Sequence, residues 1–383
     1  MNTTTTIHEI RHPHLAPAAA AAAKFCPGAR CPRPVLHNVL VRVDDDGTTV
    51  AATDLSQSII VRLPDGGGRG VTLVPSKVAK SVGDSVRYTD STVSAGGITC
   101  PSADPMEFPH QALLDCNPSA KVYLPHADAI VKAVSPAVDA ESSRFAFGGI
   151  RLEIEDDNLL AIASDGRRMH VLSARNSVAN GDPIDAVVPV NLFAGLLKAV
   201  RTVAKDVFDK RGKKLEDFLE GTMVVIRKSG KVVEARWEAH DIVVAVQARE
   251  FEGRFPKWRE VLPAGCFDTV TGVTLDIDEA ISQVKAAGKA TTPLHPAVAF
   301  GDGQVSAGHE SSGVFSAPVA GVITCPPVKL SPAFVVDALA AVRAISPVDH
   351  ARLIVGDPKQ AVFLRASHYG LALRVIIMPV AAD

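Results

Sequence analysis

The chain has 383 residues, long enough for two or three domains rather than one core. Its 40 Lys and Arg against 42 Asp and Glu exclude a globally basic nucleic-acid binder, so any phosphate-attracting surface has to be local. Six Cys, of which only Cys26 and Cys31 lie close together, do not make a disulfide framework and fit a reducing compartment. No apolar run approaches membrane-spanning length, and the Ala16 to Ala23 stretch is weakly apolar and ends at Lys24, so a cytoplasmic protein is expected.

From the N-terminus, His8-Glu9-Ile10-Arg11-His12 matches the H-E-x-x-H zinc-protease pattern. That chemistry needs both His on one helix face, whereas Pro13 disfavours helix at His12 and Thr3 to Thr6 are poor helix formers. The segment therefore reads as a strand, and a zinc-dependent hydrolase using His8, Glu9 and His12 stands only as a rival reading. A helix is expected over His14 to Phe25. Val39, Val41 and Val43 then alternate into Asp46-Gly47, the pattern of a hairpin. The glycine cluster Gly66-Gly67-Gly68-Arg69-Gly70 precedes a strand, Val71 to Val74, and so reads as a hairpin tip rather than a phosphate loop, which would open a helix. Cys26 and Cys31 lack a second ligand pair, and no nucleophile elbow or paired acidic motif appears, so neither a metal, a cofactor nor a catalytic set is expected.

A Pro-led amphipathic helix follows the first strand group, at Val74-Pro75-Ser76-Lys77-Val78. The same device returns at Val188-Pro189-Val190-Asn191-Leu192-Phe193 and at Leu330-Ser331-Pro332-Ala333-Phe334. Proline suits the first helical turn, where its missing N–H has no partner to lose. Around each copy the order of elements is the same. An earlier helix spans Pro125 to Val134 in the second copy and Asp276 to Ala287 in the third. A hairpin comes next: Ile150, Leu152 and Ile154 run into Asp156-Asp157-Asn158, and Val298 and Phe300 into Gly301-Asp302-Gly303. The Pro-led helices carry apolar stripes at Phe193, Leu196, Leu197 and Val200, and at Phe334, Val335, Ala338, Leu339 and Val342. Further strands close the later units, Met223 to Ile226 with Val232 to Trp237, and Arg352 to Val355 with Ala361 to Leu364. The first two copies leave through Phe108-Pro109-His110 and Phe255-Pro256-Lys257. The charged run Asp206 to Glu220 reads as a solvated insertion. The chain is thus α+β, one unit built three times over residues 1–118, 119–259 and 260–383, each with two helices on one face of antiparallel strands.

Four segments depart from the generic repeat: Ala52-Thr53-Asp54-Leu55-Ser56, Ala163-Ser164-Asp165-Gly166-Arg167-Arg168-Met169, Phe255 to Pro263, and Met378-Pro379-Val380. In this order and spacing the chain resembles the bacterial DNA polymerase III beta subunit, the replicative sliding clamp. Arg30 ahead of Pro34-Val35-Leu36 is similar to that family's first-hairpin arginine. The resemblance implies a DNA-clamp fold and a head-to-tail homodimer, six domains closing into a ring around double-stranded DNA. It implies a processivity factor with no covalent chemistry of its own, which tethers the polymerase, the clamp loader and repair proteins through short peptides. Cations on the helices would face the DNA without reading sequence: Lys24, Arg30, Lys77, Lys80, Lys132, Lys198, Arg201, Lys205, Lys285, Lys289 and Arg343. The peptide pocket carried across by motif comprises Phe147, Ser164, Gly166, Arg167, Arg168, Met169, Pro256, Val261, Ile376, Ile377, Met378, Pro379 and Val380. The chain departs from the family at Ala381-Ala382-Asp383, at Glu260, at Glu141 and in its longer second-domain loop, which motivates a repair or mobile-element paralogue as the alternative.

Overall fold

The computed structural model describes residues 6–64, 66–110, 119–124, 127–139, 141, 147–155, 158–175, 178–181, 184–209, 224–261, 272–293, 295–301, 303–309, 313–318, 321–323, 327–355, 357 and 359–380. Strands β1 (His8–Arg11), β2 (Asn38–Asp44), β3 (Gly47–Thr53), β4 (Gln57–Leu63), β5 (Gly70–Pro75), β6 (Ser85–Tyr88), β7 (Thr92–Ala95), β8 (Ile98–Pro101) and β9 (Ala120–Leu124) come first. Next are β10 (Gly149–Glu155), β11 (Asn158–Ser164), β12 (Arg168–Arg175), β13 (Val178–Gly181), β14 (Asp185–Pro189), β15 (Val224–Ser229), β16 (Val232–Ala239) and β17 (Ile242–Arg249). The last are β18 (Gly272–Asp276), β19 (Val298–Gly301), β20 (Gln304–His309), β21 (Gly313–Pro318), β22 (Gly321–Ile323), β23 (Val328–Leu330), β24 (His350–Ile354), β25 (Val362–His368) and β26 (Leu371–Ile377). The described residues hold six α-helices: α1 (Leu15–Ala22), α2 (Ser76–Ala79), α3 (Ala127–Ala133), α4 (Asn191–Asp209), α5 (Ile277–Gly288) and α6 (Pro332–Ile345). None of these helices is long and apolar enough to cross a membrane.

Two compact units emerge. The first comprises Met1–Ala127, Val178–Asp182 and Asn191–Glu250. It holds a nine-stranded antiparallel sheet in the order β13-β9-β15-β16-β17-β4-β3-β2-β5 and a four-stranded sheet β1-β6-β7-β8. Helix α1 packs on α4, whose Leu192, Phe193, Leu196, Val200 and Val203 are buried at helical spacing. Phe108, from the first exit segment, is buried beside Leu40, Ala51 and Leu73.

The second unit comprises Asp128–Ser177, Pro183–Val190 and Phe251–Asp383. Its nine-stranded sheet runs β14-β10-β11-β12-β26-β25-β24-β18-β22 and its smaller sheet β21-β20-β19-β23. Helix α5 packs on α6. The Asp276 carboxylate caps α5 by accepting the Glu279 N–H at 2.9 Å, and Pro332 opens α6 at the position where its lost donor costs nothing. Phe255 and Trp258, from the second exit segment, are buried against Leu160, Ile162, Met169, Val171, Val187, Ile354, Phe363 and Ile376.

Most expected elements form where the pattern places them. The H-E-x-x-H segment is strand β1, paired with β6 from His8↔Tyr88 to Arg11↔Ser85. Along a strand His8 and His12 stand about 13 Å apart and cannot share one ion. The first Pro-led helix is shorter than the other two: α2 stops after Ala79, ahead of Gly83, because its sequence carries no sustained apolar stripe. Helix α4 takes in the first four residues of the charged run, and 210–220 lie outside the described residues.

Candidate functional site

The turn between β11 and β12 is held by its own side chains. Ser164 Oγ donates to the Arg168 carbonyl at 2.8 Å and accepts the Gly166 N–H at 3.1 Å. Asp165 Oδ1 accepts the N–H groups of Arg167 and Arg168, both at 2.9 Å. Gly166 sits at φ +84°, a left-handed position that glycine occupies without steric cost. From this turn the Arg168 guanidinium reaches to Asp165 at 3.0 Å, to Asp337 on α6 at 2.5 Å and to the Pro136 carbonyl, and lies 4.4 Å over the Phe334 ring. Next to it His170 is fully buried, its Nδ1 2.6 Å from the Ala133 carbonyl oxygen. Burial pushes its pKa down to about 4, so the ring is neutral at pH 7.

The C-terminal strand β26 closes against β12, with Arg168 opposite Ile377 and Met169 opposite Ile376. Beyond it Met378 N–H donates to the Arg167 carbonyl at 2.8 Å, and Val380 N–H to the Lys329 carbonyl at 2.9 Å. These bonds bring the turn and the chain terminus together, as the motif reading expects. The exposures divide the thirteen residues. Gly166, Arg167 and Met378 are exposed; Phe147, Arg168, Pro256, Pro379 and Val380 are half-buried. Ser164, Met169, Ile376 and Ile377 are buried, and only Met169 and Ile376 of these belong to the cluster containing Phe255 and Trp258. Ile377 points to the opposite sheet face, since successive strand residues alternate. The Val261 side chain lies outside the described residues.

Sequence reasoning missed Arg259 and Asp337. Arg259 stacks 4.3 Å from the Trp258 ring and bonds Glu153 and Glu155, both at 2.7 Å, which pins the exit segment to β10. Asp337 is the carboxylate, 169 residues away, with which Arg168 pairs. The only sequence signal for either was an unusual density of charge inside an apolar motif.

The eleven cations are all exposed. Three have partners: Lys24 donates to Thr202 Oγ1 at 3.1 Å, Lys132 pairs with Asp128 at 2.9 Å, and Arg343 bridges Asp278 at 2.6 Å and Asp349 at 2.9 Å. Arg30, Lys77, Lys80, Lys198, Arg201, Lys205, Lys285 and Lys289 have no side-chain partner among the described residues, so their charge is available to solvent or to phosphate.

Residues 126–215 match the family model described as DNA polymerase III beta subunit, central domain. No curated protein matches the sequence. The whole chain superposes on solved clamps. The DNA polymerase sliding clamp from Bacillus subtilis gives a TM-score of 0.78 at 15% identity, covering 99% of this chain and 100% of that one. The Pseudomonas aeruginosa sliding clamp bound to griselimycin gives 0.77 at 17% identity, covering 99% and 100%. A putative DNA polymerase III beta subunit from Eubacterium rectale gives 0.75 at 16% identity, covering 98% and 99%.

Proposed function

We propose, from the premise that this chain is a divergent member of the DNA polymerase III beta sliding clamp family, that it is a processivity clamp: a ring around duplex DNA that tethers a polymerase. The family's subunit is non-catalytic, and the work proposed here is topological. Three domains, 1–118, 119–259 and 260–383, would be contributed by each of two copies. The single observation that carries this reading is a clamp fold over 99% of the chain combined with exposed cations on its helices. In a protein of net charge −2, exposed helix cations such as Lys77, Lys132, Lys198, Arg201, Lys205, Lys285 and Arg343 would make a local surface for phosphates.

Two edge strands suit closure of the ring. Strand β8 ends the first unit's small sheet with Ile98 45% exposed, and β21 ends the second unit's small sheet with Val314 62% exposed. An unpaired edge with an exposed apolar residue is a template for another chain, and two unlike edges on each copy suit a head-to-tail contact, as a ring of two copies requires. The polymerase and other partners would insert apolar peptides at the turn and terminus formed by Gly166, Arg167, Met378 and Pro379, over the Met169 and Ile376 cluster.

Negative-stain microscopy of the purified protein tests the assembly. Closed rings with a central hole are expected; a population of monomeric rods at micromolar concentration contradicts it.

A further inference from the structure

The first unit contains a cavity of about 310 Å³ on the helix side of its large sheet, lined by Lys24, Phe25, Asp54, Gln57, Gly195 and Lys198 among others. We propose that it is a second binding site, which takes the carboxylate side chain of an acidic partner peptide.

The β3–β4 turn that borders it repeats the β11–β12 turn bond for bond. Thr53 Oγ1 donates to the Gln57 carbonyl at 2.9 Å and accepts the Leu55 N–H at 2.9 Å, as Ser164 does with Arg168 and Gly166. Asp54 Oδ1 accepts the N–H groups of Ser56 and Gln57, both at 2.8 Å, as Asp165 does for Arg167 and Arg168. Gln57 therefore occupies the place of Arg168. Matching the buried stripe Phe193, Leu196, Val200 and Val203 of α4 to Val335, Ala338, Val342 and Ile345 of α6 puts Gly195 in the place of Asp337. In the second unit the Arg168–Asp337 pair fills this space. In the first, Gln57 is shorter and neutral, the Phe25 ring packs against Gly195 where a Cβ would meet it at 2.9 Å, and the cavity is what remains beside that ring.

The charges that line it decide the ligand. Lys24 and Lys198 contribute two amines, and Asn191 and Gln57 two side-chain amides. Asp54 is the one carboxylate, and its Oδ1 also takes the Ser56 hydroxyl at 2.7 Å, three hydrogen bonds in all. Cys26 is not an anion: burial pushes its thiol up to about 11, and it donates to the Asn38 carbonyl at 3.5 Å. Donors thus outnumber free acceptors, over a floor of Ala21, Phe25 and Ala199. Where the second unit's wall offers a carboxylate to a guanidinium, the first unit's wall offers amines, so the fitting occupant is an anion on a slender apolar stem. A volume of this size lies within the range of specific ligand pockets.

Titration of the full-length protein with acetyl-Ala-Leu-Glu-Leu-Ala-amide, and with the same peptide carrying Gln for Glu, tests this. Binding of the Glu peptide is expected at millimolar concentration, weakened about tenfold by the Gln exchange and by Lys198→Glu, a loss of ~1.4 kcal/mol. Gln57→Arg, which recreates the plug of the second unit, should abolish binding without lowering the melting temperature. Met378→Asp should leave this binding unchanged, which separates the site from the proposed partner pocket. Absence of binding, equal affinity for the two peptides, or indifference to Gln57→Arg overturns the proposal.

Discussion

The two units build the same hairpin and sheet junction from opposite chemistry. Met378 N–H donates to the Arg167 carbonyl at 2.8 Å; at the matching place Arg249 N–H meets the Ser56 carbonyl at 3.4 Å. Met169 faces Ile376 in the second unit, and Ser58 faces Gln247 in the first. Phe363 next to Ile376 corresponds to Glu234 next to Gln247, the latter pair joined at 2.8 Å. On the helix side the order inverts: the second unit carries the Arg168–Asp337 pair and the first the open cavity. Backbone hydrogen bonding preserves the repeat, and side chains decide what each copy binds. The β12–β26 junction thus has an apolar sheet face where the β4–β17 junction has a polar one.

The largest test of the comparison is titration of His170, whose place in the first unit is taken by buried Ile59. A neutral imidazole held at a pKa of about 4 against an unfolded 6.5 binds fewer protons folded than unfolded between those values. Its stabilisation is complete above pH 6.5 and is lost as pH falls toward 4, a change of about 3 kcal/mol. Urea unfolding of wild type and His170→Ile across this window should show a shallower pH slope in the variant. Parallel slopes would mean that His170 takes up its proton equally readily in the folded and unfolded protein.

Arg168→Ala removes a half-buried cation shared by two carboxylates and should destabilise by about 2 kcal/mol, the range for breaking a partly buried pair after discounting the 36% exposure of Asp337. Gln57→Ala, its counterpart, should cost no more than about 0.5 kcal/mol. Equal losses in urea midpoints would break the proposed asymmetry.

Met378→Asp should weaken binding of apolar polymerase peptides at least about tenfold while leaving the dimer intact. Arg249→Ala, at the corresponding place, should leave that affinity unchanged in the same fluorescence titration. The smallest effect is expected at Leu55, held at φ +75° where the second unit has glycine at +84°. Leu55→Gly relieves left-handed strain but loosens the unfolded chain, for a net gain of about 0.5 kcal/mol. A loss in melting temperature would show that the Leu55 side chain, 38% exposed, contributes more packing than its backbone costs.

Much of this was legible in the residues. Alternation at Val39, Val41 and Val43 and the Pro-led stripes at Phe193 and Val335 foretold strands and helices because period and capping are local properties. The segments Ala163 to Met169 and Met378 to Val380, named together from motifs, are neighbours in the structure because strand β26 pairs with β12. What stayed hidden depended on partners distant in sequence. Nothing near Arg168 announces Asp337, and nothing in Met169 or Ile377 tells which face of its strand is buried. The cavity was equally silent, because it arises from two substitutions, Gln57 and Gly195, in separate copies of the repeat.

The most direct test of the central claim is retention on circular DNA. Loaded by a clamp loader onto a nicked plasmid, the protein should stay bound through a high-salt gel filtration and be released when the plasmid is linearised. Retention that persists on linear DNA with free ends, or that is lost from the circle as salt rises, would contradict a topological clamp.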